Sequence, residues 1–227
     1  MTGTTNDIKT FFEQQAELYP AEIYLIPENE NEEVNLPAGD DTQELKQLEQ
    51  VCLACRQCHL AETRTKVVFG VGNPHAELLF VGEAPGANED LQGLPFVGRA
   101  GNLLDKILAA IDLKREQVYI ANVLKCRPPE NRTPNAGEVG KCEPFLLKQI
   151  DLIRPKLIVC LGLTAARTLL RNDYSLDKMR GQMFKYHDVD LIVTYHPAAL
   201  LRNENLKKPT WEDFKKIKNL YLDNTGE

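Results

Sequence analysis

From Thr42 onward, short apolar runs of strand length alternate with stretches of helical periodicity, and this alternation limits the fold more than any other feature of the chain. Strand-like runs occupy Glu77–Val81, Val118–Leu124, Lys156–Leu161 and Leu191–Tyr195, with a further hairpin-like run at Gln182–Tyr186. Between them, Leu103, Leu104, Ile107, Leu108 and Ile111 form one stripe within 101–113. Residues 136–153, 164–170 and 210–222 supply three more helices. Strands alternating with helices predict a three-layer α/β/α sandwich around a central, mostly parallel, four-stranded sheet. Ligands of such sheets bind beyond the carboxyl ends of the strands. Three unusual segments each follow a strand: Gly82-Glu-Ala-Pro-Gly86, Lys125-Cys-Arg-Pro128 and His196-Pro197. One site at one sheet edge is the expectation.

Residues 1–41 read differently. The stretch 27–41 is rich in Glu, Asn, Pro and Gly and cannot repay its ordering entropy, so it reads as a linker after a short amphipathic helix carrying Ile8, Phe11 and Phe12. The expected organisation is an acidic arm, 1–41, and an α/β domain, 42–227. Charge follows the same division. The whole chain carries a formal charge of -6, but residues 1–50 hold 12 acidic and 2 basic residues, which leaves a net +4 for 51–227. An acidic total therefore does not exclude a nucleic-acid partner. No run of eighteen apolar residues occurs and the first residues lack a secretory pattern, so a cytoplasmic protein with no membrane association is expected.

Six cysteines are present, and a cytosolic chain should not use them for disulfides. Cys160 lies inside an apolar strand and reads as an inert core residue. Cys52-x-x-Cys55-x-x-Cys58 resembles the opening of bacterial ferredoxin runs, and Cys126 and Cys142 are available to complete a site. On spacing alone an iron–sulfur cluster, an all-cysteine zinc site and free thiols all stand open.

At Gly82 to Asp105 (GEAPGANEDLQGLPFVGRAGNLLD) the sequence resembles the family 4 uracil-DNA glycosylases, the iron–sulfur branch of the uracil-DNA glycosylase superfamily. The likeness extends through Cys55-x-x-Cys58-His-Leu60 with Arg64, Asn122-Val-Leu-Lys-Cys126-Arg-Pro-Pro129, Cys142 and His196-Pro-Ala-Ala-Leu200-Leu-Arg202, covering residues from about 50 to 223. The resemblance implies a uracil-DNA glycosylase-like fold and a 4Fe-4S cluster held by Cys55, Cys58, Cys126 and Cys142, with Cys52 outside the ligand set. It implies a monofunctional repair enzyme that releases uracil from single- and double-stranded DNA and leaves an abasic site. A monomer is expected, with a repair protein as a possible partner for the arm.

Site residues follow from the same likeness. Gly82, Ala84, Phe96, Asn122 and His196 correspond to the base pocket: Phe96 to the ring that stacks on uracil, Asn122 to the amide that reads its edge, and His196 to the donor at O2. Leu200 matches the wedge that enters the duplex, with Arg202 at a flanking phosphate. Where iron-free relatives carry a water-activating Asp, this chain has Ala84, so Glu83, Glu89 and Asp90 are the candidate carboxylates, with Glu83 or Glu89 favoured. Gly86 stands where those relatives place a Tyr that excludes thymine. Arg56, Arg64, Lys66, Lys125, Arg127, Arg132 and Lys141 are expected on a phosphate-contacting face. The rival reading is a non-catalytic or redox-sensing iron–sulfur DNA-binding module.

Overall fold

The computed structural model describes residues 41–225, with side chains as far as Tyr221. The expected helix near Phe11 and all of the linker but Asp41 lie outside the described residues. Asp41 opens helix α1 (Asp41–Ala54) and pairs with Arg154 at 3.1 Å.

Four strands are parallel, as expected, and lie in the order β3 (Tyr119–Asn122), β2 (Leu78–Gly82), β4 (Leu157–Leu161) and β6 (Val189–Thr194). Two antiparallel edge strands extend the sheet to six, β1 (Val71–Gly72) beside β3 and β5 (Met183–Tyr186) beside β6. β1 is too short to leave a periodic trace in the sequence. β5 is the expected hairpin run. β2, β3 and β4 are buried at every position, as strands covered on both faces must be.

Side chains alternate across the sheet. Leu78, Phe80, Ile120, Leu157, Val159 and Ile192 share one core with Leu104 and Leu108 of α4 (Arg99–Ala110) and Phe214 and Ile217 of α9 (Lys207–Thr225). Phe80 and Phe214 stack at 6.1 Å. On the other face lie α5 (Ala136–Ile153), against which α1 packs, and α6 (Leu163–Leu170), which meets β4 and β5. Cys160 is fully buried in this layer's strand β4, as expected of a core residue. Asn135 starts α5 through a reciprocal capping box with Glu138. The remaining helices are short: α2 (Leu60–Thr63), α3 (Ala87–Gln92), α7 (Leu176–Met179) and α8 (Pro197–Arg202).

The end of β6 is fixed by polar contacts. Asp213 of α9, itself buried, accepts from Thr194 Oγ1 at 2.7 Å and from Arg180 Nε at 2.8 Å, while the Arg180 guanidinium also lies over the Tyr195 ring at 4.4 Å. Removing one partner of a buried pair strands the other charge. Asp213→Ala is expected to cost on the order of 3 kcal/mol in chemical denaturation, because it removes the buried carboxylate that Arg180 and Thr194 share.

Candidate active site

Parallel pairing sets Gly82 of β2 directly beside Asn122 of β3 at the carboxyl edge. A Cβ on Gly82 would lie 2.4 Å from Asn122 Oδ1 and 2.8 Å from Phe96 Cζ, so this glycine is the gap that admits both groups. Asn122 is buried, and among the described residues nothing hydrogen-bonds its side-chain amide. Its donor and its acceptor are both left for a ligand.

Phe96 sits in the loop after α3 with φ +53°, a left-handed conformation that costs a non-glycine residue about 1–3 kcal/mol. Its surroundings impose that conformation. Arg115 donates to the carbonyls of Phe96 (3.1 Å) and Pro95 and pairs with Asp105 at 2.9 Å. Glu89 Oε1 accepts from the Val97 and Gly98 amides, each at 3.1 Å. A Cβ on Gly101 would fall 1.8 Å from the Phe96 carbonyl oxygen. Neither Arg115 nor Gly101 is legible in the sequence as a site residue, since both act on main-chain atoms: Arg115 lies outside every motif, and Gly101, though within 82–105, has no side chain to suggest a role.

The Phe96 ring faces the His196 imidazole, centroid to centroid 5.4 Å. His196 caps α8: its Nδ1 accepts from the Ala198 amide at 3.1 Å, which places the ring proton of the neutral form on Nε2. Burial lowers its pKa to about 4, helped by the Arg202 charge and opposed by Glu89. The result is a neutral donor.

Of the candidate carboxylates, Asp90 is committed elsewhere, accepting from the Thr65 and Lys66 amides and buried there. Glu89 spends one oxygen on the Phe96 loop. Its other oxygen is the atom a Cβ on Gly86 would meet, at 2.8 Å. Burial raises the pKa of Glu83, with an opposing hydrogen bond from Thr164 of α6. Ala84 lies half-buried in the loop that follows β2.

Two expectations meet a different placement in the structure. Leu200, expected as the wedge, is only 2% exposed, whereas Leu201 is 40% exposed. Successive residues of a helix point about 100° apart, so turning Leu200 into the protein turns Leu201 out. Arg202 is exposed at the end of the same helix. The second concerns the basic face: Lys125 is buried, and Arg64 turns inward, donating to Cys126 Sγ at 3.1 Å and to the Cys55 carbonyl at 2.6 Å. Arg132 is engaged with Glu138. Arg56 and Lys66 line an open cleft beside Gly93.

Cys52, Cys55, Cys58, Cys126 and Cys142 line a single cleft. The Lys125 amide donates to Cys142 Sγ at 3.1 Å. Burial pushes the Cys52 thiol up to about 12 and raises Cys126 and Cys142, with Arg64 or Lys125 opposing in each case. Such a donor set, with N–H groups aimed at sulfur, suits a metal that displaces the protons. Among the described residues, no three His, Cys, Asp or Glu side chains converge to hold one ion. Four thiolates on one zinc each lie about 2.3 Å from it, whereas a polynuclear cluster takes its thiolates at outer corners, and this ring of cysteines has enough sulfurs for either.

The model of the Uracil DNA glycosylase superfamily matches residues 69–215. A type-4 uracil-DNA glycosylase of Sulfurisphaera tokodaii is 48% identical over 187 residues, 78% of this chain and 85% of that protein. One from Archaeoglobus fulgidus is 49% identical over 174 residues, covering 73% and 87%. One from Thermotoga maritima is 46% identical over 168 residues, covering 72% and 88%.

Two outcomes follow from the geometry. Gly82→Ala should leave the fold intact, by circular dichroism, yet reduce turnover about 10²-fold by displacing Asn122 and Phe96. His196 takes up its proton near 6.5 when unfolded but only near 4 when folded, so the unfolded chain binds it first. This group therefore lowers stability as pH falls from 6.5 to 4 and has no effect above that window. An NMR titration of His196 should show a midpoint below about 5.

Proposed function

The chain belongs to the uracil-DNA glycosylase superfamily, among its type-4 members, and we propose how its own residues perform that family's reaction. It is a uracil-DNA glycosylase, a hydrolase of DNA repair that cuts the N-glycosidic bond of deoxyuridine in DNA. The base must leave the helix to be reached. In our reading the flipped uracil stacks on Phe96, over the gap at Gly82 and beside Ala84. Asn122 Oδ1 accepts from uracil N3–H and its Nδ2 donates to O4, a pattern that cytosine reverses. The free amide of Asn122, next to the Phe96 ring, is the observation that carries this reading.

His196 donates through Nε2–H to uracil O2, where negative charge grows as the bond breaks. Its depressed pKa supports a hydrogen-bond donor that stays neutral rather than an acid that gives up a proton. The sugar becomes cation-like, and a nearby carboxylate steadies it and orients water. We assign that role to Glu83, whose raised pKa fits a base, and give Glu89 the task of holding the Phe96 loop, with its second oxygen free to face the sugar. Water adds to the anomeric carbon, and uracil departs as an anion that then takes a proton. The enzyme acts as a monomer on single- and double-stranded DNA and has no lyase step.

Cys55, Cys58, Cys126 and Cys142 would hold a 4Fe-4S cluster. When bound, it supplies a cross-link between the segment after α1, the loop after β3 and helix α5, with no electron transfer in the reaction. In our reading Leu201, the exposed leucine of α8, enters the duplex, with Arg202 at the phosphate beside it. Among the described residues no helix is long and apolar enough to cross a membrane. We place the protein in the cytoplasm, where a reducing environment keeps such thiols available to a cluster.

The test is uracil release from a uracil-containing oligonucleotide by protein purified without oxygen. His196→Ala and Asn122→Ala should each lose about 10²–10³ in rate while keeping the cluster's colour. Cys126→Ser should lose the colour. Wild-type protein that carries the cluster and binds this DNA but releases no uracil would refute the assignment.

A further inference from the structure

Among the described residues, Lys125 is the buried side chain that joins the cysteine ring to the base pocket. Its exposure is 1%, and its Nζ donates to the main-chain carbonyl of Asn122 at 2.9 Å and to Gln149 Oε1 at 2.5 Å. The same ammonium lies 5.9 Å from the centroid of the Phe69 ring. Gln149 is fixed in turn, its Nε2 donating to the Phe69 carbonyl at 3.1 Å and to Tyr119 Oη at 3.3 Å. The Lys125 main chain is tied as well, its amide to Cys142 Sγ and its carbonyl to the Val68 amide at 2.8 Å. The Val68 contact closes the segment 67–68 onto the loop that bears Cys126.

A buried ammonium carries a large desolvation cost that an apolar side chain would avoid. Among the described residues no carboxylate pairs with Lys125; the acidic groups nearest to it are the thiols of Cys142, Cys52 and Cys126. The cation is thus placed where thiolates around a metal centre would neutralise it, while its hydrogen bond is spent on the residue that reads the base. Packing alone does not account for that pairing of contacts.

We propose that Lys125 is a positioning residue that couples the cysteine ring to base recognition, holding the Asn122 main chain from one side while its own amide is held by Cys142 on the other. This rests on the reading above, in which Asn122 recognises uracil and the ring carries a cluster. The cluster would then do more than brace a distant surface. Through Lys125 it would set where the Asn122 amide points.

The test is a double-mutant cycle with Lys125→Met and Asn122→Ala on cluster-loaded protein, read by single-turnover uracil release, iron content, and binding of DNA carrying an unreactive abasic analogue. Lys125→Met should lose about tenfold or more in excision while retaining iron and analogue binding, and should cost nothing further once Asn122 is Ala. Lys125→Gln keeps a neutral N–H donor for the Asn122 carbonyl and should recover most of the loss. Multiplicative losses in the double variant, or full activity in Lys125→Met, would overturn the proposal. Iron lost from both Lys125 variants would assign the residue to the ring alone and overturn it too. Wild-type protein without iron, or an Asn122→Ala variant with normal excision, would instead sink the functional reading, and both are scored before the cycle.

Discussion

The in-register pairing of β2 with β3 is the constraint on which the site depends. It puts Gly82 opposite Asn122, and the missing Cβ at Gly82 is what lets an amide and an aromatic ring approach the same point. A parallel sheet covered on both faces gives its strand ends no freedom to slide, because a slip of one residue would turn every buried side chain to the wrong face. The core of Leu78, Phe80, Ile120 and Val159 therefore holds the pocket in place as well as stabilising the fold.

The pocket is also held under strain. Phe96 stays in a left-handed conformation because Arg115, Glu89 and Gly101 together leave its main chain no alternative. His196 is similarly fixed, its Nδ1 occupied by the helix it caps and its charge suppressed by burial. Both groups are thus arranged before a ligand arrives, which is how fixed dipoles lower a barrier without reorganising during the reaction. Lys125 extends the arrangement to the cysteine ring, so that the third motif residue, Asn122, is steadied from behind.

Much of the fold is legible in the sequence because it rests on periodicity. Residues 136–153 form a helix with those bounds, since the apolar stripe is strong and Asn135 and Glu138 cap its start. Helix α1 escapes such a reading, as only Leu45 and Cys52 are buried along its length. The two-residue β1 has no pattern to read. In the site, Asn122 and His196 are legible at one edge because each closes a parallel strand, and ligands of such sheets bind beyond the carboxyl ends, while the order of the strands leaves no trace in the sequence. Spacing does not say which way a side chain turns in a six-residue helix, so the family likeness points to Leu200 as the wedge although Leu200 is buried and Leu201 exposed. Nor does a count of basic residues distinguish a surface cation from a buried one, which is why Lys125 and Arg64 read as part of a DNA face and lie instead against the cysteines.

Recognition of the base by the strand-end pocket itself is tested by a crystal structure of the protein with free uracil. The uracil ring should stack on Phe96, with its N3 and O4 edge on the Asn122 amide and its O2 toward His196 Nε2. Uracil bound away from Phe96, or with its O4 edge turned from Asn122, would contradict it.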